Sequence, residues 1–212
     1  MTPHKDHEQL VHEFGIDVPN RELYLVGEPT LLTDEDPGVE YMMASRIIRN
    51  LRMLVLRGDG PILIHMKSCG GYETEGFAIY DTILSCPCHV TILSYTHARS
   101  MSSIILQAAD HRVLMPSSYF MFHRGTLEVD GDVTAVQSYI QFSKLWERQM
   151  LDIYTVKMKQ KGKYIKWSEK RIRELIDEEM NKKVDVYLTA QEAVDWGLAD
   201  CVFDGNWKGL KE

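Results

Sequence analysis

Apolar positions change their period along this chain in a regular alternation. Residues 21–27 (RELYLVG) alternate and are rich in strand-formers, which predicts a strand, and a loop with Pro29, Asp34, Asp36 and Pro37 follows. Over residues 39–57 apolar side chains recur at helical spacing until Gly58-Asp59-Gly60 breaks the pattern. PILIHM (61–66) is a nearly continuous apolar run, the mark of a strand buried on both faces. The cycle repeats with a helix over 73–84, a strand HVTILSY, a helix over 102–109, and two short strands, RVLM and YFMF. Strands alternating with helices imply βαβ crossovers and a largely parallel sheet.

Beyond His123 the pattern changes. Residues 132–161 predict one long helix, with Val136, Ile140, Leu145, Gln149 and Ile153 among its face positions, ended by Lys161-Gly162-Lys163. Ser168 starts a second helix, SEKRIRELIDEEM, with opposite charges four residues apart. A strand over 184–188, a short helix TAQEAVDWG and a strand ADCVF finish the chain, with Gly197 where a helix end favours a left-handed residue. No linker or repeat interrupts the series. The expected organisation is a mobile N-terminal arm over 1–20 and one domain over 21–212, including a handle region at about 124–183.

Composition narrows the class. The 212 residues, 44% of them hydrophobic, are enough for a sizeable core. A net charge of −7 and a pI near 5.6 argue against nucleic acid or an anionic membrane as partner. No apolar run approaches a membrane span, and the polar start MTPHKDHEQLVHEFG lacks the apolar core of a signal peptide. Cys86-Pro87-Cys88 is spaced too closely for an easy disulfide and is not a zinc pattern. The four cysteines are therefore expected to be reduced, in a cytoplasmic protein without metal.

Three residues in unlike contexts could form one chemistry. Ser100 precedes a helix, His123 closes the apolar run YFMFH, and Asp185 stands between two valines. Nucleophilic acyl transfer needs a hydroxyl, an imidazole that takes and returns its proton, and a carboxylate that orients the imidazole. Each also has a plainer reading: Ser100 as a helix cap, His123 as a structural strand-end residue, Asp185 as a solvated strand residue. The segment Ser68-Cys69-Gly70-Gly71 follows a buried strand and exposes backbone N–H groups. It lacks the spacing of a phosphate loop; an oxyanion hole or a peptide-docking edge fits better, and a plain glycine turn is the other reading.

The order SCGG (68–71), EGFAIYDTI (75–83), ARSM (98–101), FMFH (120–123), the long helix and DVYLTAQEAVDWGLADCV (185–202) resembles the proteolytic subunit of the Clp protease, over about residues 21–204. The resemblance implies an α/β fold, a Clp/crotonase-like spiral of ββα units with a protruding handle helix. It implies a serine endopeptidase with Ser100 as nucleophile, His123 as base and acid, and Asp185 as the orienting carboxylate. The backbone N–H groups of Gly71 and Met101 would form the oxyanion hole, and Gly70 would begin the substrate-binding edge. No cofactor is implied. The implied partners are a peptide or unfolded-protein substrate, further copies of the chain in a heptameric ring stacked as a tetradecamer, and a separate AAA+ ATPase unfoldase. Alternatives on the same fold are a virus-encoded capsid-maturation protease, a non-catalytic subunit of a mixed ring, and an acyl-CoA enzyme of the crotonase type. The chain departs from the family pattern at Cys69, Arg99, Ser102, Arg124 and Gly125, and its segment before Asp185 is longer.

Overall fold

The structure, a computed structural model, describes residues 3–27 and 38–211. The loop expected around Pro29 to Pro37 lies outside the described residues. Within the segment expected as a mobile arm, residues 3–20 are described and include helix α1 (Pro3–Phe14) and a short strand β1 (Ile16–Asp17). They are fastened: His7 bonds the Asp17 carboxylate at 2.9 Å, Asn50 donates to the Phe14 carbonyl at 2.7 Å, and Ile16 is fully buried. A polar, histidine-rich sequence hid one docking residue.

The alternating part of the chain forms β2 (Glu22–Val26), α2 (Tyr41–Val55), β3 (Ile62–Ser68), α3 (Glu73–Leu84), β4 (Val90–Arg99), α4 (Met101–Leu106), β5 (His111–Leu114) and β6 (Tyr119–Phe122). Then come α5 (Val133–Gln160), α6 (Glu169–Lys183), β7 (Val186–Thr189), α7 (Ala190–Trp196), β8 (Cys201–Val202) and a 3₁₀ turn (Lys208–Lys211). The strands make one sheet in the order β1-β2-β3-β4-β5-β8, parallel except for the β1–β2 pair. Strand β4 is long enough to serve two neighbours. Thr91 to Ser94 pair with β5, and His97 to Arg99 pair with β6, which pairs antiparallel with β7. The sheet therefore forks along β4.

Strand β3 bears out the expectation of burial on both faces. Ile62, Ile64 and Met66 enter the main core under the helices. Leu63 points the other way, into a small cluster with Leu93, Val113 and Leu210. Each such fully buried side chain contributes about 1.5–3 kcal/mol relative to exposure.

Helix α5 corrects the expected face. Of its 28 residues only Met150, Tyr154, Thr155 and Met158 are buried, all in its second half. Val136, Ile140, Leu145, Gln149 and Ile153 are half-buried or exposed. The first half extends away from the main core as a handle. The segment between α5 and α6 folds back onto α7: Lys163 N–H donates to the Asp195 carbonyl at 2.7 Å, and Tyr164 packs edge-on against Trp196. No helix among the described residues is long and apolar enough to cross a membrane, and none of the four cysteines forms a disulfide.

Candidate active site

Register alone brings three of the expected site residues to one place. In the parallel β4–β6 pair Arg99 lies opposite Met121, so Ser100 and His123 both emerge just beyond the carboxyl ends of adjacent strands. In the antiparallel β6–β7 pair Phe122 lies opposite Val186, which sets Asp185 across from His123. The side chains meet accordingly. His123 Nδ1 is 3.0 Å from Asp185 Oδ1, and His123 Nε2 is 2.8 Å from Ser100 Oγ. With the carboxylate accepting from Nδ1–H, Nε2 is left as the acceptor for the serine O–H. The imidazole is largely sheltered, whereas Asp185 is 40% exposed.

Ser100 is not a side-chain cap. It makes the whole turn from β4 to α4 with φ 52° and ψ −126°, and its hydroxyl makes no capping bond. Positive φ is costly for a residue with a Cβ and is tolerated where surroundings over-determine it. Here they do. The Ser100 N–H donates to the Met121 carbonyl at 3.0 Å, and the Ser100 carbonyl accepts from Ser103 N–H at 2.9 Å and from Ser103 Oγ at 2.6 Å. Ser103 in turn meets the buried Tyr154 hydroxyl at 2.6 Å; burial raises the pKa of that hydroxyl, against the bond to Ser103. A sharp strand-to-helix turn that exposes a hydroxyl is a recurrent support for a nucleophile.

Gly70 and Gly71 lie behind this turn. Both have positive φ, and a Cβ on Gly71 would collide with the backbone of Val39. Val39 N–H donates to the Gly70 carbonyl at 2.5 Å and Tyr72 N–H to the Val39 carbonyl at 3.0 Å, leaving Gly71 N–H outside this ladder. Among the described residues neither Gly71 N–H nor Met101 N–H donates to another backbone group outside the helices and strands. Met101 is the first residue of α4, where helix geometry leaves the N–H without a partner in the helix. Both line the same cleft as Ser100 and His123.

That cleft opens to solvent. Its floor is Phe77, Ile104, Met150 and Tyr154, with Trp146, Glu73 and Glu147 higher on the wall. None of these was singled out by sequence reasoning, because α3, α4 and α5 converge here only in three dimensions. Gly76 within α3 gives room for the Met101 side chain, which a Cβ at that position would strike.

Two departures from the family pattern have structural partners. Arg99 Nε donates to the Cys69 carbonyl at 3.2 Å. Burial disfavours its charge, but interactions with Cys69 and Tyr119 outweigh this and raise its pKa. Arg124 reaches two helices at once: Nε to Glu147 Oε1 at 2.6 Å, Nη2 to Asp177 Oδ1 at 2.9 Å, and Nη1 to Asn181 Oδ1 at 3.0 Å. It ties the residue after His123 to α5 and to the helix that leads into Asp185. Ser102 is fully buried, and its hydroxyl has no hydrogen-bond partner among the described residues.

No group of three or more His, Cys, Asp or Glu side chains suited to a metal occurs among the described residues. The Clp protease family model matches residues 34–206, most of the chain and all of the strands and helices that build this cleft. The chain belongs to the Clp protease family, a family of peptidases.

Proposed function

We propose that this protein is a serine endopeptidase that works through an acyl-enzyme. The observation that carries the reading is the unbroken hydrogen-bond path from Ser100 Oγ through the His123 ring to Asp185. In this reading Ser100 attacks the scissile carbonyl carbon while His123 Nε2 takes its proton. Asp185 holds the ring in the required tautomer and steadies the imidazolium. The oxyanion that forms is held by Gly71 N–H and Met101 N–H. His123 then gives the proton to the leaving amine as the C–N bond breaks. Water, deprotonated by the same nitrogen, attacks the ester, and its collapse frees the acid and restores Ser100. None of these steps uses ATP or a metal. Gly70 belongs to the edge along which an extended substrate would add as a strand.

Reaction with a fluorophosphonate tests this directly. One label per chain, at Ser100, absent in Ser100→Ala and slowed in His123→Ala, is the expected result. A folded protein that takes no label would overturn the reading.

The same proposal extends to assembly as a homo-oligomer, a heptameric ring stacked as a tetradecamer, that receives folded substrates from an AAA+ unfoldase. What supports it is the apolar surface of the handle. Val133, Tyr139, Ile140, Phe142 and Leu145 are exposed along the half of α5 that stands clear of the core, more than one isolated chain would ordinarily leave in water. Native mass spectrometry tests the ring. Degradation of a folded substrate only with ATP and an added unfoldase tests the partnership.

A further inference from the structure

The cleft beside Ser100 carries a charge that peptide-bond chemistry does not use. Its floor, formed by Phe77, Ile104 and Met150, is apolar, and its mouth bears Arg124, Glu147 and Glu73. Arg124 and Glu147 are committed to each other at 2.6 Å, with Asp177 as a further anion on the same guanidinium. Glu73 is different. Among the described residues its carboxylate has no ion-pair or hydrogen-bond partner. Its carboxylate lies beside Gly125, where a Cβ built on the glycine would stand 3.6 Å from Glu73 Oε1. The carboxylate thus faces the chain two residues after His123, on the wall of the cleft.

An acid in the first turn of α3 also offsets the helix dipole. That role does not single out Glu73, because Glu75 stands in the same turn and does not line the cleft. The charged residues lining the cleft are Arg124, Glu73 and Glu147; Arg124 also pairs with Asp177 outside it, and Lys144 lies with Glu147 in the adjoining hollow. The lining itself carries more negative than positive charge. An apolar floor under an anionic rim matches a side chain with a long methylene stem and a cationic end.

We propose that this cleft selects peptides with lysine or arginine on the acyl side of the scissile bond, the stem lying on Phe77, Ile104 and Met150 and the charge meeting Glu73. The proposal rests on Ser100 being the nucleophile, since that places the cleft next to the acyl residue. It names Glu73 as a specificity residue, which touches substrate without taking part in bond breaking. An acidic side chain in the same place would meet the Glu73 carboxylate and be rejected.

The test uses the full chain and three fluorogenic peptides that differ only at the acyl-side residue: lysine, norleucine (the same stem without the ammonium) and glutamate. Lysine is expected to exceed norleucine in kcat/KM by about ten-fold at low salt, the size of one specific pocket contact. The ratio should shrink as salt rises, and glutamate should be slowest. In Glu73→Gln the lysine-to-norleucine ratio should fall toward one, and Glu73→Lys should favour glutamate. Ser100 labelling by a fluorophosphonate is measured on every protein. Label without lysine preference overturns the proposal and leaves the peptidase reading standing; no label on the wild type overturns that reading itself. A lysine preference unchanged in a labelled Glu73→Gln protein removes Glu73 from the role. Should the Glu73 variants fail to fold, a wild-type ratio that is flat with salt overturns the proposal on its own.

Discussion

Gly70 lies so close behind Ser100 that a Cβ built on it would stand 2.7 Å from both the Ser100 Cβ and the Arg99 carbonyl oxygen, and 2.9 Å from the Met101 nitrogen. Two of those atoms are backbone, which cannot swing aside. The glycine also has φ +97°, a region L-residues rarely adopt. Gly70→Ala is therefore expected to shift both Ser100 and the Met101 N–H. A displacement of about 1 Å at reacting atoms costs on the order of 100-fold in rate. Labelling kinetics at Ser100, beside a thermal melt, measure this; a labelling rate equal to wild type would show that the turn absorbs the methyl group.

Arg124 gives a second expectation, because its three bonds join the residue after His123 to both handle helices. The pairs are partly exposed, so each is worth about 0–1 kcal/mol in stability. Their positional effect is larger than that. Arg124→Gln is expected to lower kcat about ten-fold with little change in KM and a small change in Tm. Arg124→Lys should recover only part of the loss, since one ammonium cannot replace a planar fork that contacts two helices. Parallel loss of kcat and of several degrees in Tm would instead mark a general loosening of the fold.

Much of this arrangement was readable from the sequence, and the unreadable parts share a cause. The β6 run YFMF and the α3 segment match the structure residue for residue, since burial writes itself into apolar spacing. Strand β4 runs farther than its apolar run, through Thr96-His97-Ala98-Arg99, because pairing with β6 sustains it where hydrophobicity does not. The reading of Asp185 as a strand residue misplaced the start of β7, which begins at Val186 after a tight turn. Ser100, His123 and Asp185 were visible as chemistry, but their separation was not. Their meeting follows from two registers, β4–β6 and β6–β7, that together bridge the 85 residues between Ser100 and Asp185. Glu73, Glu147 and Asp177 carried no signal, because an acid on a helix surface looks the same whether it faces water or a cleft.

The turn before Asp185 yields a third expectation. Val184 has φ 62° and ψ −69°, and the Asp185 N–H donates to the Lys183 carbonyl at 2.7 Å. This is a γ-turn with positive φ, an uncommon and strained conformation, centred on a β-branched residue that is 74% exposed. Burial of the side chain does not account for it. Val184→Gly removes strain of about 1–3 kcal/mol but adds freedom to the unfolded chain and to the turn. The expected outcome is a melting temperature no lower than wild type, with kcat reduced several-fold because Asp185 is held less firmly. Reduced Tm with full activity would show that the turn serves stability and not the placement of Asp185.

Acid stability should report on a pair far from the cleft. Arg112 bonds both oxygens of Asp200, at 2.8 Å and 2.9 Å, and its backbone N–H adds a third bond at 2.8 Å. Both side chains are largely buried. Burial pushes the Asp200 pKa up, but the Arg112 bonds and charge outweigh it and hold the carboxyl down at about 2, against an ordinary 3.8. Because the folded value lies below the unfolded one, the pair's contribution is complete above about pH 4 and is lost as pH falls through about 2. The shift corresponds to about 2 kcal/mol. Asp200→Asn leaves a buried guanidinium without its charge partner, which costs about 3–5 kcal/mol when such a pair is broken. Urea unfolding at pH 7, 4 and 2.5 should show a large deficit for the variant at neutral pH that narrows toward the lowest pH, as the carboxyl of the unfolded wild-type chain takes up its proton. A deficit that stays constant across that range would mean that hydrogen-bond geometry alone, and not the charge on Asp200, holds α7 and β8 to the end of the sheet.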